Sequence, residues 1–184
     1  MRIISGKYKG RKLVAPKKLP VRPTTDMAKE ALFNMLYNRY EFDEISVCDL
    51  FAGTGNISFE FASRGTKRVT SVDQHAGCIL YINKIDNELN LNLTIIKSDV
   101  FRFLDKTHQT FDVIFADPPY DIGQEEFQKL VLLILEKKML KDGGLLIVEH
   151  SSQTDLSAMP HFELLKKYGS NCFSFFSDTV EESI

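Results

Sequence analysis

Short apolar runs and helical patterns alternate along this chain, and four successive runs hand over through an aspartate: Asp49, Asp73, Asp99 and Asp117. The runs at 45–50, 68–72, 93–96, 113–116 and 145–148 are rich in β-branched and aromatic residues and read as buried strands. Between them, 56–64, 75–89, 100–106 and 125–139 read as helices; in 75–89 the apolar positions are Ile79, Leu80, Ile82, Ile85 and Leu89. A turn at Asp142-Gly143-Gly144 precedes the fifth run. The end differs: 162–166 and 172–176 flank Tyr168-Gly169 and read as two strands without a helix between them. This order predicts an α/β fold: a doubly wound, seven-stranded, mostly parallel sheet with an antiparallel terminal strand. Ligands of such sheets bind outside the carboxyl ends of the strands, so the four aspartates share the binding edge.

Upstream of the sheet, 1–14 alternates loosely around Gly6 and Gly10 and reads as a β-hairpin. Pro16, Pro20 and Pro23 make 15–25 an extended linker. Thr24 or Thr25 caps a helix over 26–39, whose stripe of Ala28, Ala31, Leu32, Met35 and Leu36 packs on the body. The expected division is a basic segment, 1–25, and a body, 26–184. Of the 23 basic residues 8 fall in 1–25, against none of the 25 acidic ones, although the whole chain carries only −2. A local positive face of this kind suits nucleic acid. Tyr8 between Lys7 and Lys9 can lie on a base, or simply pack on the hairpin.

A chain of 184 residues, 43% hydrophobic, can build one real core. Neither a membrane span nor a signal peptide is expected. Cys48, Cys78 and Cys172 are odd in number and widely spaced, which fits reduced thiols in a cytoplasmic protein. Neither they nor His75, His108, His150 and His161 have metal-site spacing, so no metal is expected.

The run Asp112-Val113-Ile114-Phe115-Ala116 ends in Asp117-Pro118-Pro119-Tyr120. The prolines stop the strand and stiffen the loop. A carboxylate, carbonyls less committed to a ladder, and an aromatic ring form a rigid cup for a planar amino group. The first crossover, Asp49-Leu50-Phe51-Ala52-Gly53-Thr54-Gly55, begins like a dinucleotide fingerprint, but its third glycine position holds Ser58. That weighs against a nicotinamide oxidoreductase. An acid after the second strand suits ribose hydroxyls, and one after the third suits an adenine amino group or a helix cap. An acidic edge repels polyphosphate and welcomes a sulfonium such as S-adenosylmethionine.

The glycine turn, Asp73, Asp99 and Asp117-Pro118-Pro119-Tyr120, in that order, resemble the Rossmann-like class I methyltransferases that use S-adenosylmethionine. The Asp-Pro-Pro-Tyr form resembles those that methylate planar exocyclic nitrogens. Met1-Arg2-Ile3-Ile4-Ser5-Gly6, Gly10-Arg11-Lys12-Leu13, Arg22-Pro23-Thr24-Thr25-Asp26 and Glu30-Ala31-Leu32-Phe33-Asn34 look like the bacterial family that makes N2-methylguanosine in 16S ribosomal RNA, at guanine 966. Asn56-Ile57-Ser58 departs from the family's small residue and glycine, and Asp73 stands where glutamate is common.

The resemblance implies direct methyl transfer at Asp117, Pro118, Pro119 and Tyr120. It implies cofactor contacts from Asp49, Phe51, Ala52, Gly53, Gly55 and Asn56 in the turn, and from Asp73 and Gln74 at the ribose. Asp99 and Val100 would meet the adenine, Thr24 and Thr25 the methionine end. Arg2, Lys7, Tyr8, Lys9, Arg11, Lys12 and Arg22 would meet RNA within an assembling small subunit, the enzyme acting as a monomer. Rival expectations are an N6-adenine methyltransferase of DNA, which the compact chain disfavours, and a non-catalytic cofactor- or RNA-binding module.

Overall fold

Seven strands form one sheet in the order β3-β2-β1-β4-β5-β7-β6 in the computed structural model, which describes residues 1–178. Residues 179–184 of the expected body lie outside the described residues. The strands are β1 (Ser46–Leu50), β2 (Arg68–Asp73), β3 (Thr94–Lys97), β4 (Phe111–Ala116), β5 (Leu140–His150), β6 (Phe162–Tyr168) and β7 (Asn171–Ser177). From β3 to β5 all neighbours pair in parallel, while β7 runs antiparallel to both β5 and β6. Every residue of β1 is buried, as a central strand covered on both faces requires.

Helices α1 (Asp26–Tyr37), α2 (Asn56–Ser63), α3 (Ala76–Leu89), α4 (Val100–Lys106) and α5 (Gln124–Glu136) supply the covers. Leu32, Phe33 and Leu36 of α1 and Phe61 of α2 pack on Val47, Phe115 and Phe173 on one face. Leu104 of α4 and Phe127, Leu130 and Ile134 of α5 pack on Ile114, Leu146 and Phe176 on the other. At roughly 2 kcal/mol for each fully buried large apolar side chain, these two layers dominate the favourable side of folding.

One expected element takes a different form, and another forms as expected but docks on a helix. The turn expected at 142–144 is a bulge inside β5: Phe111 pairs with Leu140 but Val113 with Leu145, and Gly143 takes the left-handed φ of 73° that the extra residues need. The N-terminal hairpin keeps one bridge, Arg2 to Lys12. The two arms stay joined by the Ile3 N–H to the Arg11 carbonyl (3.0 Å), the Gly10 N–H to Ile3 (2.8 Å) and the Leu13 N–H to Met1 (3.0 Å), while Ile4 and Ser5 donate outward to the Glu60 carboxylate (2.9 and 3.0 Å) and Lys7 to the Ser63 carbonyl (2.7 Å). Ile3 and Leu13 still point inward, against Phe59, Ile82 and Ile85.

The dock is held by charge. Lys29 on α1 falls within the buried stripe of Ala28, Leu32 and Leu36 and is itself fully buried. Its ammonium meets Glu60 at 3.3 Å and donates to the Arg2 carbonyl (2.6 Å) and to Asn56 (2.8 Å). Arg64 closes on the same carboxylate at 2.8 Å.

Candidate active site

At the carboxyl edge of the sheet lies a cavity of about 860 Å³, walled by Phe51, Asp73, Gln74, Asp99 and Val100, by Asp117 to Asp121, and by Pro20 to Arg22 of the linker. Beside it a recess of about 30 Å³, room for about one water, is bounded by Thr24, Asp49, Ala52, Gly53, Asn56 and Asp117. Expected residues from five separate stretches thus converge. Thr25 and Gly55 support them from outside the two cavities. Thr25 caps α1 through its hydroxyl (3.3 Å to the Ala28 N–H). Gly55 takes φ 79°, and a Cβ there would lie 2.7 Å from the Phe59 ring.

Asp73 accepts from the Gly53 and His75 N–H groups (2.9 and 2.8 Å), so it braces the glycine turn while facing the cavity. Asp99 caps α4 (2.9 Å to the Arg102 N–H) and lines the cavity as well. Asp49 accepts from the N–H and hydroxyl of Ser58 (3.1 and 2.6 Å). The departure at the third glycine position therefore supplies Asp49 with its partner. Burial still pushes the Asp49 carboxyl up to about 7, against the pull of Ser58. Asn56, the other departure, donates to the Thr24 carbonyl (3.1 Å) and ties the linker to the turn.

In the cup, Asp117 continues β4 and its N–H donates to the Leu50 carbonyl (3.3 Å). Its carboxylate accepts no hydrogen bond from the described residues. The Pro118 carbonyl accepts none either, whereas that of Pro119 takes the Ile122 N–H (3.2 Å). Burial, then the charges of Glu149 and Asp49, hold the Asp117 carboxyl well above its ordinary range. Tyr120 is 45% exposed, its ring open at the mouth. Burial, then Glu149 and Asp117, push its phenol up to about 12.

Glu149 and Asn171 complete the site and were not anticipated. Glu149 is 1% exposed and accepts from the Thr24 hydroxyl (2.6 Å) and from the Asn171 side-chain amide. A signal existed: Glu149 closes the fifth apolar run as Asp117 closes the fourth.

The basic residues divide. Arg22 lines the mouth of the cavity. Lys7, Tyr8 and Lys9 sit at the hairpin tip, where Tyr8 donates its N–H to Ser63 (3.0 Å) and its hydroxyl to the Leu89 carbonyl. Arg11 pairs with Glu88, and Arg2 with Asp26 at 3.4 Å. Since the cavity is at the start of α3 and Leu89 at its end, the tip lies about 20 Å of helix away, at 1.5 Å per residue. Tyr8 takes the packing role, joined to the apolar layer of α3. Cys48, Cys78 and Cys172 are free and buried. Among the described residues no helix is long and apolar enough to cross a membrane, and no three His, Cys, Asp or Glu are grouped to hold a metal.

The family model described as Conserved hypothetical protein 95 matches residues 1–177. The Bacillus subtilis protein YlbH, whose name provisionally assigns it to the rRNA methyltransferases, is 37% identical over 161 residues, covering 85% of each chain. Ribosomal RNA small subunit methyltransferase D of Haemophilus influenzae is 32% identical over 188 residues, covering 95% of this chain and 91% of its own. The solved structure of Escherichia coli yhhF, provisionally described as a methyltransferase, superposes with a TM-score of 0.83 at 28% identity, covering 96% and 97% of the two chains.

Proposed function

Because the chain belongs to the Conserved hypothetical protein 95 family, with small-subunit rRNA methyltransferases D among its relatives, we propose that it methylates ribosomal RNA with S-adenosylmethionine. The finer reading is methyl transfer to the exocyclic N2 of a guanine in 16S RNA, guanine 966, within an assembling subunit. The enzyme acts as a cytoplasmic monomer, and residues 1–25 are its RNA-holding segment.

The observation that carries this reading is the pair of unengaged acceptors, the Asp117 carboxylate and the Pro118 carbonyl, beside an open Tyr120 ring at the cavity. The cavity fits the cofactor. Asp73 would accept from ribose hydroxyls, Asp99 from the adenine amino group, the Val100 N–H would donate to an adenine ring nitrogen, and the acids lining the cavity favour a cation. Bound there, S-adenosylmethionine would supply an electrophilic methyl group, the new nitrogen–carbon bond replacing the carbon–sulfur bond with sulfur as leaving group.

The protein's part is positional and electrostatic. A guanine N2 lone pair is delocalised into the ring. Acceptance of its N–H groups by Asp117 and Pro118 favours a pyramidal nitrogen and stabilises the positive charge that grows on it. Asp117 then takes the proton that N2 releases. One carboxylate can accept from N1–H and N2–H together, which suits guanine. Tyr120 stacks on the extruded base, and the rigid cup fixes the direction of approach.

Nucleoside mass spectrometry of 16S RNA from cells lacking the gene tests the proposal. Loss of one N2-methylguanosine, restored by the intact gene and not by Asp117→Ala, is expected. Unchanged rRNA nucleosides, or loss of N6-methyladenine from DNA instead, would overturn it.

A further inference from the structure

The same edge holds a second carboxylate that the proposed reaction leaves unused. In the β4–β5 register Phe115 pairs with Ile147 and Ala116 with Val148, so Asp117 and Glu149 follow side by side on neighbouring strands. Such strands lie about 4.8 Å apart. Phe115 and Ile147 both belong to the layer under α1, which puts Asp117 and Glu149 on that face too. Glu149 is fixed there: one oxygen takes the Thr24 hydroxyl at 2.6 Å, the other the Asn171 amide. Asn171 is held in turn by Thr25 (3.4 Å). Three separate elements, the linker, β5 and β7, thus aim one buried carboxylate at the back of the cup.

We propose that Glu149 is a positioning residue for the transfer, fixing a second negative charge behind Asp117 so that the pair, rather than Asp117 alone, receives the proton released by the substrate nitrogen. The proposal rests on the reading of Asp117 given above. N2 loses a proton to an Asp117 oxygen, the N–H electron pair stays on nitrogen, and the charge of the Asp117–Glu149 pair falls from two to one. Repulsion between two carboxylates at this separation favours uptake of one proton.

The surroundings leave the pair without a competing cation. The groups that face Glu149 are Asp117 from β4, Asp49 from β1, Tyr120 after the cup, and the uncharged Thr24 and Asn171. Arg22 acts on Tyr120 from the exposed rim. Lys29 is engaged by Glu60 and reaches the linker only through Asn56. His150 points to the opposite face, bonded to Ser174 at 2.7 Å and packed against Phe127. Burial raises both carboxyls, the charge of Glu149 raises Asp117 further, and Thr24 and Asn171 pull Glu149 back down.

The test is a carbon-13 NMR titration of the carboxyl groups in the free protein, with no cofactor or RNA. In the wild type, Asp117 and Glu149 should titrate in two shared steps. In Glu149→Gln, Asp117 should titrate in one step at lower pH. Single-turnover methylation by this variant should slow roughly tenfold, its acid limb moving to lower pH, while Glu149→Asp keeps the wild-type limb. Independent one-step titrations in the wild type would overturn the proposal, and need no variant to fold. So would an Asp117 titration unmoved by Glu149→Gln, which would leave Glu149 a structural clamp on Thr24 and Asn171. Failure of the wild type to methylate RNA, with shared titration intact, would sink the functional reading and not the pairing.

Discussion

Glu60 is the keystone of the N-terminal dock, and Glu60→Gln measures it. The carboxylate is fully buried and serves four donors: one oxygen takes the Ile4 N–H (2.9 Å) and Lys29 (3.3 Å), the other the Ser5 N–H (3.0 Å) and Arg64 (2.8 Å). An isosteric amide retains one acceptor oxygen and turns an NH₂ group toward the remaining donors. Lys29 then stands buried without its counter-charge. Breaking a buried pair by removing one partner costs about 3–5 kcal/mol. The lower end applies, because Lys29 keeps the Arg2 carbonyl and Asn56 as acceptors and its ammonium is already held below its ordinary pKa by burial. About 3 kcal/mol in a chain of this length corresponds to a fall in Tm of roughly 6–12 °C. Scanning calorimetry should show that fall, and trypsin should cut faster after Lys7, Lys9 and Arg11 as the hairpin frees. A Tm within about 2 °C of wild type with unchanged cleavage would refute the reasoning.

Three further outcomes follow from the same geometry. Gly6→Ala should release the hairpin without changing any charge, since φ is 83° and the new Cβ would fall 1.9 Å from the Ser63 carbonyl oxygen; amide exchange at Ile4 to Tyr8 should rise sharply. Asp49→Asn should raise Tm at pH 8 and leave it unchanged near pH 4. The folded-state carboxyl titrates at about 7, above its unfolded value near 3.9, so the folded chain binds the extra proton between them and stability falls as pH rises through that window, by up to about 4 kcal/mol, a loss the amide escapes. Neutralising Lys7, Lys9, Arg11 and Lys12 together should weaken RNA binding and flatten its salt dependence by up to about three ions, with an unchanged slope in filter binding returning the hairpin to a packing role.

Much of this was legible because strand burial and helix spacing act locally. The run 100–106 gives its helix to the residue, and the acids that end strands mark the edge where the cavity lies. What escaped depends on contacts distant in the chain. Asp49 and Ser58 are nine positions apart, yet their bond decides how the third glycine position can be a serine. Nothing near Glu149 in sequence announces Thr24, 125 residues away, although the step of acids extends to it. Lys29 carried a local sign, a lysine at the spacing of a buried stripe, whose meaning depends on Glu60. The hairpin shows both sides: alternation placed Ile3 and Leu13 inward and paired the two arms, but the dock of Ile4, Ser5 and Lys7 on Glu60 and Ser63 lies more than 50 residues away in sequence.

The handling of buried charge distinguishes scaffold from site. Two carboxylates of the scaffold have cations: Glu60 has Lys29 and Arg64, and Asp112 has Lys141 at 2.9 Å, which with Ser46 holds its carboxyl below the ordinary range. Asp49 and Glu149 are buried and Asp117 is partly so, and none of them forms an ion pair among the described residues. Their raised carboxyls mean that folding at neutral pH works against their ionisation. A cationic ligand entering the cavity relieves that opposition, so its affinity and its stabilising effect both draw on the repulsion stored there. The same repulsion makes Asp117 a stronger acceptor for an amino proton than an exposed carboxylate. A lysine introduced beside any one of the three would therefore compete with a cationic ligand for that carboxylate and weaken both properties together.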